Sequence, residues 1–326
     1  MKTVLVDIYG ADIGCEPMIT GAIKALDDYS ELKLTFIGDE NIINKFITKD
    51  NKQRISCIHT TDFISHSESP AVAFKGRDEA SIIMGIKQLA EDDEVIGLLS
   101  PGNTGAMLVA SIFRLGLVGG LKSPALCSVI PCCDGKMLAI SDCGANIDSR
   151  SEDLVNFGLM ASALMKSLGH SDSPRVALLS VGREDSKGNK VTLEAFEKLK
   201  NLPINFIGNI EGLDVVSGEV DVVVADGFSG NVLLKTIESV GKSAISMVND
   251  AIKTANVKED LESVKQRLER AYDFNPFGGA TFLGTKKPII KMHGSATEIT
   301  PRSCIDQLMR MENANYQQAI LDCLKK

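Results

Sequence analysis

The amino-acid sequence predicts an α/β fold in which helices cover both faces of a mostly parallel sheet. Runs that read as strands alternate along the chain with helical patterns, the order expected of βαβ architecture. Most strand runs are continuously apolar, as in Val95–Leu99 and Met137–Ile140, which suits strands buried on both faces. Three segments of like composition follow such runs: Ser100-Pro-Gly-Asn-Thr-Gly-Ala106, Ser141-Asp-Cys-Gly-Ala-Asn-Ile-Asp148 and Ala225-Asp-Gly-Phe-Ser-Gly-Asn231. Glycine lets backbone approach a ligand, and helix N-termini present N–H groups to an anion. Ligands in open α/β folds bind at the carboxyl ends of strands, where all three segments fall.

In chain order, strands are expected at Thr3–Ile8, Leu34–Ile37, Val95–Leu99, Ala125–Ile130, Met137–Ile140, Val176–Val181, Ile204–Ile207, Val220–Ala225 and Ile289–Met292. Helical spacing falls between them at Met18–Leu26, Asp78–Ala90, Gly105–Leu115, Ser151–Leu168, Thr192–Leu199 and Ile305–Leu324. The alternation breaks between Asn231 and Asp273. Apolar residues at Leu234, Ile237, Val240, Ala244, Met247 and Ala251, then at Leu261, Val264, Leu268 and Ala271, follow helical spacing. Two helices are expected there, joined near Ala255-Asn256 into a hairpin at about 232–273. That hairpin reads either as a solvated pair packed along one stripe or as a projection used for docking.

Length and composition bound the function. The chain has 326 residues, enough for one large α/β domain or two smaller ones. Its net charge of −8 argues against nucleic acid as a partner. The absence of Trp, with aromatic content of 5%, argues against base stacking. No apolar run of about 18 residues suggests a membrane-spanning helix. Met1 leads straight into a strand without the apolar stretch of a signal peptide. The eight cysteines show no zinc-ligand spacing, so reduced cytosolic thiols are expected. Gly10-Ala-Asp-Ile-Gly14 has the wrong spacing for a dinucleotide fingerprint. No P-loop, GxSxG elbow or HExxH occurs.

The candidate site residues follow from the turns. Gly102 and Gly105 bracket Asn103 and Thr104, either of which could cap the following helix; the alternative is a tight strand-to-helix turn with no ligand. Asp142 and Asp148 flank Gly144 and Asn146. The carboxylates could position Asn146 or a lysine, or Asp148 or Ser149 could simply cap the next helix. Lys187-Gly-Asn189 offers one cation and nearby backbone to a phosphate, or is a solvated loop. Ser229 and Asn231 can donate to a carbonyl or phosphate, and Asp226 can orient a nucleophile or thiol. His293, followed by Gly294 and Ser295 after a strand, is the histidine placed for function, whereas His59, His66 and His170 read as surface residues.

These segments, in this order, resemble the PlsX-type phosphate acyltransferases of phospholipid synthesis. Asp7-Ile-Tyr-Gly-Ala-Asp12 with Pro17 looks like that family's opening motif. Glu68-Ser-Pro-Ala71 with Lys75 and Arg77, Gly102-Asn-Thr-Gly-Ala106 and Gly144-Ala-Asn-Ile-Asp148 follow. So do Lys187-Gly-Asn189, Gly208-Asn-Ile-Glu-Gly212, Gly218–Gly227, Gly230-Asn231, Phe277-Gly-Gly-Ala280 and His293-Gly-Ser295. The match is collinear over essentially the whole chain. Departures are Ile8-Tyr9 and Ala11 in the opening motif, the missing His before Pro17, Pro101, Thr281-Phe282, and a hairpin shorter and more charged than the family's membrane-touching one.

The resemblance implies one two-lobed domain over residues 1–326. Its fold would be a Rossmann-like αβα sandwich similar to the isocitrate/isopropylmalate dehydrogenases, with the helical hairpin inserted. It implies that acyl-[acyl-carrier-protein] and inorganic phosphate give acyl phosphate for phosphatidic acid synthesis, without cofactor or metal. Acyl-carrier protein is then the donor, the chain a cytoplasmic homodimer, and weak peripheral contact with the membrane is a further expectation. On this reading Gly102, Asn103, Thr104 and Gly105 with Lys187 and Asn189 cradle phosphate. Ser229, Asn231, His293 and Ser295 serve the oxyanion or the thiol, and Asp142, Asn146 and Asp226 orient them. Competing readings are a phosphotransacylase acting on acyl-CoA or another protein-bound thioester and a non-enzymatic scaffold for membrane lipid synthesis. A metal- and nicotinamide-dependent dehydrogenase is more distant, for want of a recognisable set of acidic ligands.

Overall fold

A computed structural model describes residues 1–71, 75–254 and 258–325. The chain divides into two compact units, Met1–Leu126 with Asn275–Lys326, and Cys127–Phe274.

The first unit holds β1 (Lys2–Asp7), α1 (Glu16–Asp28), β2 (Leu32–Gly38), α2 (Glu40–Ile43), β3 (Ile55–His59), α3 (Ser81–Glu91), β4 (Val95–Ser100) and α4 (Thr104–Ala110). Its strands order as β3-β2-β1-β4, followed by β11 (Ile289–Lys291) and β10 (Ala280–Leu283) from the returning segment. All of these pairings are parallel except β10 with β11. Val4, Val6, Leu34, Phe36 and Leu99 are buried with Met18, Ile19 and Ala22 of α1 and Ile305 and Leu308 near the C-terminus. That packing explains the continuously apolar strands. At about 25 cal/mol per Å² of apolar surface removed from water, such burial is the main source of stability.

The second unit holds β5 (Ala125–Pro131, from Cys127 onward), β6 (Met137–Ser141), α5 (Ser151–Ser167), β7 (Val176–Leu179), α6 (Lys190–Lys200), β8 (Phe206–Ile210), β9 (Val222–Val224), α7 (Gly227–Thr254) and α8 (Lys258–Tyr272). The strand order is β5-β6-β9-β7-β8. β5 and β6 form an antiparallel pair, and β6, β9, β7 and β8 run parallel. The carboxyl ends of those last four strands therefore share one edge. α7 and α8 pack side by side where Gly241 meets the Tyr272 ring. The expected junction at Ala255-Asn256 lies outside the described residues.

The mostly parallel sheet with flanking helices matches the sequence expectation, and most strand positions fall within a few residues of it. Several elements differ. β3 and β10 were not expected, because Ile55–His59 and Ala280–Leu283 are short and mix polar with apolar residues. The strand expected at Ile204–Ile207 begins at Phe206, beyond Pro203. The helix expected over Ile305–Leu324 is two helices, α9 (Ile299–Asn313) and α10 (Tyr316–Leu324). Asn315 adopts a left-handed conformation with φ of 51°, which ends the ladder, and asparagine is one of the few side chains that tolerate it. Neither Asp148 nor Ser149 caps α5. Arg150 precedes the helix, and the Asp153 carboxylate reaches back to accept its amide at 3.0 Å.

Candidate active site

In the first unit the site grows from the ends of β1, β4 and β11. Asp7 closes β1 and is fully buried. Its carboxylate accepts the Ser100 hydroxyl at 2.7 Å and the Tyr9 amide at 3.1 Å. Ser100 in turn accepts the Gly102 amide at 3.0 Å. Burial pushes the Asp7 carboxyl up to about 6, against the opposing pull of Ser100, Tyr9 and the Lys291 charge. Gly10 has φ of +110°, and a Cβ there would stand 2.7 Å from the Gly102 Cα. The loops after β1 and β4 are thus in backbone contact, which only glycine permits.

Asn103 caps α4: its Oδ1 accepts the Ala106 amide at 2.9 Å. Its Nδ2 donates to the carbonyls of Ser65 at 2.9 Å and Glu68 at 3.0 Å. The side chain expected to contact phosphate is committed to holding the turn, and it ties that turn to the segment around Glu68. The first-turn amides of Thr104 and Gly105 have no intrahelical acceptor, as at any helix start, and they carry the positive end of the local dipole. α4 continues into a π-helical turn, Ser111–Leu115.

Arg77 knits the Glu68 segment. It donates to Asp62 at 2.9 Å through Nε and to Glu68 at 2.9 Å through Nη1. Glu68 also accepts the Ser65 amide at 2.7 Å, and its carboxyl is held below the ordinary range by the Ser65 hydrogen bonds and Arg77. Ala71 and Lys75 flank residues outside the described set.

Lys291, at the end of β11, donates to the Pro101 carbonyl at 2.9 Å and also to Met292. Its ammonium stands at the turn that carries Gly102. Sequence reasoning missed it, since a lysine closing a short strand carries no local signature. His293 follows. Its Nδ1 accepts the Ser295 amide at 3.1 Å and lies 2.8 Å from the Ser295 hydroxyl. An amide can only donate, so Nδ1 carries the lone pair and the neutral ring's proton sits on Nε2. The Asp12 amide donates to the Gly294 carbonyl at 2.7 Å, joining this loop to the opening motif. His59, His66 and His170 are exposed, as expected.

In the second unit two of the expected segments meet at the ends of β6 and β9. Asp142 is fully buried. Its Oδ1 accepts the amides of Gly144 and Ala145, each at 3.0 Å, and its Oδ2 accepts the Asn146 amide at 2.6 Å and the Asn146 Nδ2 at 2.7 Å. One carboxylate thus shapes the whole turn. Asp226 caps α7, accepting the Ser229 amide at 2.8 Å and the Ser229 hydroxyl at 2.9 Å. The Gly227 amide donates to the Asn146 carbonyl at 2.7 Å. Asn231 donates to the Cys143 carbonyl at 3.1 Å, leaving one Nδ2 hydrogen outside that bond. Burial and the Asp142 charge push the Cys143 thiol far above its ordinary range, so it is an inert packing group.

Lys187 and Asn189 stand in the loop after β7. Lys187 is exposed; its amide donates to the Glu184 carbonyl within the loop, and its carbonyl accepts from the Asn209 side chain of β8. Asn189 caps α6 by accepting the Thr192 amide at 2.9 Å. The structure therefore assembles the expected residues in groups: Gly102–Gly105 with His293 and Ser295 in the first unit, Asp142 and Asn146 with Asp226, Ser229 and Asn231 in the second, and Lys187 with Asn189 on a neighbouring loop of the second.

The family model described as "Fatty acid synthesis protein" matches residues 2–319. A phosphate acyltransferase from Bacillus cereus (strain B4264) is 35% identical over 316 residues, which cover 94% of this chain and 94% of that protein. Among solved structures, a phosphotransacetylase from Streptococcus pyogenes superposes with a TM-score of 0.65 at 15% identity, over 95% of this chain and 94% of that one. The EutD phosphotransacetylase from Staphylococcus aureus superposes with a TM-score of 0.61 at 15% identity, also over 95% of this chain and 94% of that one. At such identity the structural likeness speaks for the fold alone.

Proposed function

The chain belongs to the fatty acid synthesis protein family, and from that membership we propose that it transfers an acyl group from a thioester to inorganic phosphate. A phosphate oxygen attacks the thioester carbonyl carbon. The tetrahedral intermediate collapses with loss of the C–S bond, giving acyl phosphate and a thiolate that takes up a proton. Phosphate is already nucleophilic at neutral pH, so the chain has to hold a dianion, align it and stabilise the oxyanion. The donor is acyl-carrier protein, and the reaction serves phospholipid synthesis.

The single observation that carries this reading beyond family membership is the donor set at the Gly102 turn. Lys291 brings a cation to the Pro101 carbonyl. The first-turn amides of Thr104 and Gly105 favour an anion, and His293 is held as the tautomer with its proton on Nε2. Lys291 and the Thr104 and Gly105 amides bind phosphate, and His293 donates from Nε2 to the oxyanion. Taken by itself, the second unit offers a cation at Lys187 and an N–H of Asn231 outside its bond to Cys143, with Ser229 and Asn146 held by Asp226 and Asp142. Exposed Val240 and Met247 on α7 support assembly as a homodimer. Among the described residues no helix is long and apolar enough to cross a membrane. A cytoplasmic site of action, with peripheral contact at the bilayer, fits the proposed reaction.

The test is direct. Acyl-carrier-protein thioester and phosphate are mixed with the chain, and acyl phosphate is trapped as hydroxamate while free thiol is counted. Phosphate-dependent thiol release matched by hydroxamate is expected. Lys291→Ala should raise the phosphate KM at least tenfold with a smaller change in kcat. Thiol release that ignores phosphate would overturn the reaction, and an unchanged phosphate KM would overturn the assigned binding group.

A further inference from the structure

We infer that Arg77 is a positioning residue for the phosphate-binding turn of the first unit. Its guanidinium holds the segment from Asp62 to Pro70, and that segment holds the first turn of α4 through Asn103 and Pro70. The inference rests on the acyl-transfer reading above, in which the Thr104 and Gly105 amides bind phosphate, and adds the group that fixes them.

Arg77 forks onto the Asp62 carboxylate, with Nε 2.9 Å from Oδ2 and Nη2 on Oδ1. Nη2 also donates to the Phe63 carbonyl at 3.1 Å, and Nη1 donates to Glu68 at 2.9 Å. One guanidinium thus fastens both ends of the stretch 62–68. Such a grip needs a planar fork of donors; a lysine ammonium, a point charge on a flexible stem, does not reproduce it. The Arg77 side chain is 31% exposed, and those of Asp62 and Glu68 are 39% and 32% exposed. The pairs are therefore partly withdrawn from screening by salt.

The fastened segment reaches the turn from both acids. On the Glu68 side, Asn103 Nδ2 donates to the carbonyls of Ser65 at 2.9 Å and Glu68 at 3.0 Å, while its Oδ1 caps α4. Glu68 accepts the Ser65 amide at 2.7 Å, so the two carbonyls are held together. Two residues on, the Pro70 ring lies against Gly105, where an added Cβ would stand 2.4 Å from the Pro70 Cγ. On the Asp62 side, the Asp62 carbonyl accepts the Ser81 amide at 3.0 Å at the start of α3. The next residue, Ile82, packs on the turn itself: a Cβ on Gly102 would stand 2.5 Å from its Cδ1.

The donors of Arg77 are engaged inside this segment, so its effect on phosphate runs through the direction of the Thr104 and Gly105 amides. Hydrogen bonds weaken steeply as the N–H···O angle closes, so a tilted first turn loses affinity without losing a group. A first turn that the protein does not hold must be ordered by the ligand, and that cost is subtracted from binding. Loss of the fork therefore falls on phosphate affinity, and kcat at saturating phosphate stays nearly unchanged.

The test uses the full chain, with inorganic phosphate binding read by calorimetry and turnover by hydroxamate trapping. Arg77→Gln is expected to weaken phosphate binding about tenfold or more and to raise the phosphate KM by the same factor, with kcat within about twofold. Asn103→Ser keeps an acceptor for the cap but drops both Nδ2 bonds, and should show the same split. Because the two residues act along one path, the double variant should bind phosphate no worse than the weaker single variant. Unchanged phosphate affinity in Arg77→Gln, a loss confined to kcat, or additive losses in the double variant would overturn the inference. So would a lower melting temperature with wild-type phosphate affinity, which would leave Arg77 a purely structural role. Should Arg77→Gln fail to fold, Arg77→Lys decides: weakened phosphate binding is expected, and wild-type affinity would overturn the inference. If the wild type binds phosphate but forms no acyl phosphate while the variant losses hold, the transfer reaction fails and the positioning role stands. A wild type that binds no phosphate would overturn both.

Discussion

The Ser100 hydroxyl donates to the Asp7 carboxylate across 2.7 Å while accepting the Gly102 amide across 3.0 Å, so a buried acid at the end of one strand sets the phosphate-side turn of another. The pair makes the geometry of that turn sensitive to the charge on Asp7.

Asp7 predicts a pH dependence of stability. Its carboxyl rises from the ordinary 3.8 to about 6 because it is buried, so the native state holds the proton more tightly than the unfolded chain. Stability should therefore fall as pH climbs from about 4 to about 6, by an increment of about 3 kcal/mol that persists above pH 6. Urea midpoints of the wild type and Asp7→Asn, measured across that range, should show the decline in the wild type only. Parallel profiles would mean that the carboxylate is stabilised by more than the contacts described.

A second expectation concerns tautomer control. Ser295→Ala removes the hydroxyl beside the His293 Nδ1 but keeps the amide that donates to it. Activity should fall about threefold, whereas His293→Ala, which removes the Nε2 donor, should lower kcat about a hundredfold, the usual scale for one oxyanion donor. Steady-state kinetics with both variants distinguish a donor from a spacer; equal effects would count against the assignment.

Backbone proximity predicts opposite fates for two glycines. A Cβ on Gly230 would lie 1.9 Å from the Asp142 carbonyl oxygen, whereas one on Gly212 meets nothing within 4 Å. Gly230→Ala should either abolish soluble expression or lower the melting temperature by several degrees with loss of activity. Gly212→Ala should melt within about a degree of the wild type, as surface changes usually do.

The Arg175–Asp221 pair supplies the fourth test. The Arg175 backbone amide, Nε and Nη2 all reach the Asp221 carboxylate, at 2.7, 3.0 and 2.8 Å. Burial alone would raise the Asp221 carboxyl, but the Arg175 hydrogen bonds outweigh it and hold it below its ordinary value. Its contribution should be present at neutral pH and fade only as pH falls below about 4. Asp221→Ala strands the half-buried guanidinium and should cost about 3 kcal/mol in denaturant unfolding, with the difference narrowing in acid.

From its sequence alone the chain disclosed its alternation of strands and helices, its largely parallel sheet, and the turns at strand ends where a ligand would bind. Those features are local: apolar runs, helical periodicity and glycine-rich breaks lie within a few residues of one another. The short mixed strand Ala280–Leu283 and the break at Asn315 escaped notice because their local composition is ordinary. What only the tertiary structure decided is which side chains act and which are already spent. Asp7 meets Ser100 across 93 positions, and Lys291 meets Pro101 across 190, distances over which spacing carries no signal. Asn103 reads as a ligand from its motif, yet its amide is consumed by the cap and by two carbonyls of a segment more than thirty residues away. Hydrogen-bonding capacity is finite, and only the folded chain shows where it has been used.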